Sequence, residues 1–243
     1  MKLKFKLLLI LFIPLLSAIK LNAQNQRRWE DIDTTGYYKK EQISKDGFTL
    51  IFINKDPNLN AATANSLKDA FWKVYPKMVK HFNKKAMHTI TMMIGTEYRG
   101  VAATLNGVVK IDQEWIRKNP QDIDLLTHEL MHVVQTYGYN VPDNWLTDGI
   151  ADYGRYAFGI NNAASGWSLT PFQQSHSYKN SYRIAARFLV WVEQHKDKSI
   201  VKALDKALRE GKYQPIIWER LTGKSLDALW QEYAANPSIK ERA

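Results

Sequence analysis

Cysteine is missing from all 243 residues. Its absence excludes a disulfide framework and a lipid anchor built on a Cys, so the fold must rely on its core and on any ion it binds. Long apolar runs are nearly missing as well. The single one, residues 7–16, is shorter than the roughly 20 residues that a membrane span requires. Lys2, Lys4 and Lys6 precede it and Leu21-Asn22-Ala23 follow it, the order of charged, apolar and cleavage segments expected of a signal peptide over residues 1–23. The expectation is a secreted or periplasmic protein with no stable membrane insertion after cleavage. Residues 24–243 then form one domain, because 45% hydrophobic residues and eight tryptophans supply a sizeable core.

Charge excludes little but points away from one class. Residues 1–23 hold four lysines and no acid, so their removal lowers the net charge from +10 to +6. The remaining basic residues are scattered, as at Arg27, Lys39, Lys84 and Lys198, and no nucleic-acid motif accompanies them. No nucleic-acid partner is expected.

Residues 128–132 read HELMH, and sixteen positions past the second histidine stands Asp148, which opens DGIAD. On a helix, His128 and His132 lie one turn apart on one face and can share a zinc ion. Glu129 lies beside them, placed to take a proton from a metal-activated water. Chance alone produces this five-residue pattern in on the order of one in a hundred chains of this length, so context has to decide. Here a helical pattern surrounds it: Ile123, Leu126, Leu130, Met131 and Val134, with a start expected at Asn119-Pro120 and a stop at Gly138.

A catalytic zinc site uses three protein ligands. Asp148 is the candidate third ligand; the competing reading makes Thr147 or Asp148 the N-cap of the helix that carries Ile150, Tyr153 and Tyr156. Asp152, one turn further on, is the candidate acceptor for the second ring N–H of a ligand histidine, against the alternative of a solvated charge on the helix face. Tyr182 is a candidate donor to a developing oxyanion, against the alternative of a buried structural tyrosine.

Along the chain, residues 24–45 read as a polar lead-in. Residues 48–54 and 89–94 read as strands, 61–82 as a long helix, and 101–111 as strand broken at the hairpin signal Asn106-Gly107. From residue 122 onward the pattern is helical, interrupted by a connection at 165–181 that lacks clean periodicity and could line a cleft. A further helix follows at 200–208, and Gly223 and Ser225 read as the stop of one helix and the cap of the next. Trp191, Trp218 and Trp230 are expected in the core. The fold class is α+β: an N-terminal sheet with one long helix, the metal helix, and a helical C-terminal half with a cleft between.

Six segments in order resemble the basic secretory proteins of plants and bacteria, a zincin-type metallopeptidase family: FWKVYPKMVKHF (71–82), GVAATLNGVVKI (100–111), THELMHVVQTYG (127–138), PDNWLTDGIADYGR (142–155), SYRIAARFLVWVE (181–193) and LTGKSLDALWQEY (221–233). The resemblance implies a zincin fold with a mixed sheet, in which the first acid of the segment after the second His binds zinc and the last supports a ligand His. The chain departs from that pattern in having Asp148 where Glu is expected. One methylene is lost, about 1.5 Å of reach, so the second helix must approach more closely. The function implied is a zinc-dependent peptidase acting on a protein or peptide, cell-wall peptide included, with Zn2+ as cofactor. The alternative is a non-catalytic envelope-binding or cell-wall-binding relative with a structural or vestigial metal site.

Overall fold

Asp46 and Gly47 take φ of 51° and 81°, and the tight turn they make joins strand β1 (Lys39–Lys45) to strand β2 (Phe48–Asn54) as an antiparallel hairpin. The computed structural model describes residues 35–138, 141 and 144–241, and the expectations for residues 1–34 lie outside these. β1 corrects the reading of 24–45 as lead-in throughout. It carries one large apolar residue, Ile43, among three lysines and a glutamate, because it is an edge strand whose charges discourage pairing with another chain. Its sequence signal was Asp46-Gly47 rather than its own periodicity.

Helix α1 (Ala61–His81) starts where the side chain of Asn60 accepts the amides of Ala62 and Thr63. It buries Leu67, Phe71, Val74 and Met78 on one stripe, then returns the chain to β3 (Thr89–Gly95), parallel to β2. β4 (Ala102–Leu105) and β5 (Val108–Asp112) form the expected hairpin. Asn106 and Gly107, at φ of 50° and 75°, make its turn. β5 pairs with β3 in parallel, so the five-stranded mixed sheet has the order β1-β2-β3-β5-β4 and β4 forms its second edge. Leu50, Phe52, Ile90, Met92, Val109 and Ile111 alternate onto the face that joins the helical core.

A short helix α2 (Gln113–Lys118) follows β5, capped by the Asp112 side chain on the amide of Glu114. Helix α3 (Leu125–Gln135), which carries His128, Glu129 and His132, starts later than Asn119-Pro120: Asn119 closes α2, and turns fill residues 119–124. It also stops before Gly138. Thr136 takes the left-handed conformation at φ 44° at its end, a role the sequence had suggested for the glycine. Next come α4 (Asn144–Phe158), a 3₁₀ turn (Tyr178–Asn180), α5 (Tyr182–His195), α6 (Ile200–Arg209), α7 (Ile216–Thr222) and α8 (Leu226–Ala235). Among the described residues the protein is thus α+β, with a five-stranded mixed sheet and eight α-helices. Gly223 ends α7 at φ 76° and Ser225 caps α8 as expected. Trp191 and Trp218 are buried and Trp230 packs on the same core.

Two glycines let α4 sit close to its neighbours. A Cβ on Gly154 would stand 3.2 Å from Met131 Cγ of α3, and one on Gly149 only 2.8 Å from Ala185 Cβ of α5. Gly149→Ala should therefore lower stability by about 1 kcal/mol net, because overpacking of about 1–3 kcal/mol outweighs the helix-propensity gain of roughly 1 kcal/mol. Urea unfolding of that variant and of Gly149→Ala with Ala185→Gly checks it: the second change should recover most of the loss.

Candidate metal centre

α3 is buried nearly all round, with Leu126, Leu130, Val133 and Val134 in the core, so the polar groups it carries face a defined cleft rather than bulk water. Its start is held by side chains. Asp124 accepts the Thr127 hydroxyl at 2.9 Å and also the backbone N–H of Asn161. His128 and His132 lie one turn apart, and their Nε2 atoms converge to 3.1 Å.

Asp148 closes the triangle. Its Oδ1 is 3.6 Å from His132 Nε2 and 3.9 Å from His128 Nε2. α4 begins at Asn144, so Asp148 stands in the second turn and the N-cap reading is wrong. Asp152 is 5% exposed, which rules out a solvated face charge, and its Oδ1 takes the Nδ1–H of His128 at 2.6 Å. The second histidine has a partner that the sequence reading missed: Gln135 Oε1 lies 2.7 Å from His132 Nδ1, and Gln135 Nε2 donates to the Thr147 carbonyl at 2.8 Å. Three positions after His132 on the same helix was its only signal.

These contacts supply a chemical test of the site. With Asp152 and Gln135 accepting from the two Nδ1–H groups, both imidazoles in their neutral form present Nε2 lone pairs to each other and to the Asp148 carboxylate. Three acceptors at such separations require a cation or a shared proton between them. A point equidistant from the three atoms lies about 2.1 Å from each, the length of a zinc–nitrogen bond. The donor set and the spacing fit zinc. Burial pulls His128 down, but the hydrogen bond and charge of Asp152, with Glu129 and Asp148, outweigh it and lift its pKa to about 8. His132 is lowered by burial and then by His128, and Asp148 is raised by burial against the pull of both histidines. His176, on the connection at 165–181, accepts the Gln173 N–H at its Nδ1 and stands outside this cluster.

Glu129 is 6% exposed and does not join the ligand triangle; its Oε2 accepts the hydroxyl of Thr104, on edge strand β4, at 2.7 Å. Thr104 too was missed, since nothing in a four-residue strand announces which helix it will face. Tyr182 is 54% exposed, not a buried structural residue, and its ring lies over that of His128 with centroids 6.1 Å apart and planes 13° off parallel. Ser181 and Tyr182 both have positive φ, 63° and 46°. For a bulky residue this costs of order 1 kcal/mol or more, and it is what aims the ring into the cleft. The Asp148 charge first, then burial, raise the Tyr182 hydroxyl above its ordinary value.

The cleft around these groups measures about 1410 Å³ and is walled by β4 on one side and by α3 and α4 on the other. Small-molecule sites span roughly 300–1,000 Å³, so this one has room for a chain segment. Ser165, Gly166 and Trp167 of the connection at 165–181 reach it.

An α+β fold with this layout is shared with an aminopeptidase N family protein from Idiomarina loihiensis. That structure matches at a TM-score of 0.53 and 12% identity over 84% of this chain and 47% of the other. An M1 zinc metallopeptidase from Deinococcus radiodurans matches at a TM-score of 0.44 and 14% identity over 84% and 52%. The chain spans about half the length of these structures. No curated protein matches in sequence. The chain belongs to the BSP family, peptidases of plants and bacteria, whose model matches residues 46–233.

Removing a ligand should differ in kind from removing its support. His128→Ala, His132→Ala and Asp148→Ala should each abolish one-to-one zinc binding, whereas Asp152→Asn and Gln135→Leu should keep zinc with affinity lowered about 10- to 100-fold. Elemental analysis together with chelator competition separates the two groups of variants.

Proposed function

We propose that this protein is an exported, zinc-dependent peptidase, with His128, His132 and Asp148 holding the ion and Glu129 as general base. The observation that carries the reading is the convergence of two histidine Nε2 atoms and a carboxylate beside a buried glutamate, in a cleft walled by a strand edge. Zinc, when bound in such a site, polarises a carbonyl and acidifies water. Glu129 accepts the proton of the attacking water and returns it to the leaving amine. Thr104 holds one oxygen of that carboxylate, which leaves the other for the water. Tyr182 donates its hydroxyl to the oxygen that gains charge at the cut carbonyl. The substrate backbone lies extended along β4, whose outer edge pairs with no other strand among the described residues. Export rests on the signal-peptide pattern of residues 1–23, and peptides of the cell envelope are then within reach.

Glu129→Gln should retain one zinc and the wild-type melting temperature while hydrolysis of a casein-type substrate falls by roughly two or more orders of magnitude. Chelation should abolish wild-type hydrolysis and added zinc restore it. A zinc-loaded wild type that cuts no protein or peptide would identify a non-catalytic binding relative instead.

Thr104→Val should lower kcat about tenfold with little change in KM, the value of a hydrogen bond to a charged group that orients a catalytic carboxylate rather than binding substrate. Steady-state kinetics on one peptide checks this.

A further inference from the structure

The cleft continues well past the metal centre. α3 and α4 run in opposite directions along it. Tyr137 and Asn144 line the end where α3 finishes and α4 begins, and Leu125 and Arg155 line the opposite end. Leu125 stands one turn before Glu129 on α3. Arg155 stands seven residues after Asp148 on α4, about 10 Å along the axis at 1.5 Å per residue. An extended peptide covers that distance in about three residues.

This far end is built from indole surface. Trp115, from α2, and Trp167, from the connection at 165–181, both line it and both back onto the core. Its charged residues satisfy each other. Asp122 accepts Arg155 Nη2 at 2.5 Å on one carboxylate oxygen and Trp115 Nε1 at 2.9 Å on the other. Arg155 Nε donates to Asn162 Oδ1 at 3.0 Å, and the guanidinium lies 4.6 Å from the centroid of the Trp167 ring. Arg155 is buried. The ion pair and the cation–π contact hold both indoles in place, and they leave neither charge free for a charged ligand.

We infer that this end of the cleft is a subsite for a large apolar side chain, aromatic for preference, seated two to three residues from the bond that is cut. The inference rests on the peptidase reading above and adds a substrate class to it: extended peptides with a bulky apolar residue at that distance. Two indoles flanking a rim with no free charge favour an aromatic ring by area and by edge and face contacts, whereas a Lys or Asp side chain would lose its water for no partner.

The test uses the zinc-loaded protein without residues 1–23 and a set of quenched fluorescent peptides that differ only at the positions two and three residues to either side of the scissile bond. The substituents are Phe, Trp, Ala, Lys and Asp. Phe or Trp at one such position should raise kcat/KM roughly 10- to 100-fold over Ala, the scale of burying one large apolar side chain, while Lys and Asp should fall at or below Ala. Trp167→Ala should erase the difference between the aromatic and alanine peptides, and Trp167→Phe should keep most of it. The same peptides titrated into zinc-loaded Glu129→Gln supply a second readout that needs no turnover: Kd should show the same order and the same loss on Trp167→Ala. Wild-type protein that cuts nothing while Glu129→Gln still binds aromatic peptides preferentially would sink the peptidase reading and support the subsite. Cleavage and binding indifferent to the aromatic residue, or a preference that Trp167→Ala leaves intact, would overturn the subsite. Melting temperatures of the two Trp167 variants separate a lost contact from a lost fold, and Trp167→Phe decides the matter if the alanine variant does not fold.

Discussion

Everything in the candidate site depends on how near α4 lies to α3. Two aspartates, the shorter of the two acidic side chains, must reach histidines on another helix, and Asp148 Oδ1 arrives at 3.6 and 3.9 Å while Asp152 Oδ1 arrives at 2.6 Å. Gly154 against Met131 permits the approach from one side, and Gly149 against Ala185 keeps α4 pressed from the other. A longer acid at 148 would tolerate a wider gap. The small residues and the short acid are therefore one solution, since loss of a methylene at residue 148 is compensated by loss of side-chain volume between the helices.

The electrostatics follow from the same approach. Two imidazoles and three carboxylates are drawn into a poorly solvated space, where an unpaired charge would be costly. Asp152 and Gln135 commit both Nδ1 atoms as donors, so the Nε2 lone pairs are left to converge and an ion becomes the natural completion of the group. Glu129 stands outside the triangle of His128, His132 and Asp148, with one carboxylate oxygen held by Thr104. One helical turn thus holds three polar groups in separate positions: His128 is tied to α4 through Asp152, Glu129 to β4 through Thr104, and His132 to Gln135 of its own helix.

The sheet contributes its edge. β4 is a short strand antiparallel to β5 at one edge of the mixed sheet, and its outer edge pairs with no other strand among the described residues. Tyr182 is delivered from the opposite wall by two successive residues with positive φ, a local strain that the packed start of α5 sustains. Beyond the two histidines, the paired Asp122 and Arg155 brace two indoles. The three features lie along one groove, as an extended substrate would require.

Patterns confined to one element were readable in the chain alone. The strand at 48–54, the helix beginning at Ala61, the hairpin at Asn106-Gly107 and the one-turn spacing of His128, Glu129 and His132 all express a local period or a local turn, so neighbouring residues carry the whole signal. β1 escaped because an edge strand needs few apolar residues. The turns over 119–124 escaped because Pro after Asn reads equally well as a helix start. What the tertiary structure alone decided was every relation between elements: Asp148 as a point of convergence rather than a cap, Asp152 buried against His128, Gln135 bridging to Thr147, Thr104 on Glu129, and Tyr182 exposed over the site. Those relations depend on which helix faces which and at what distance, and that is fixed by the close packing of the whole core rather than by any stretch of neighbouring residues.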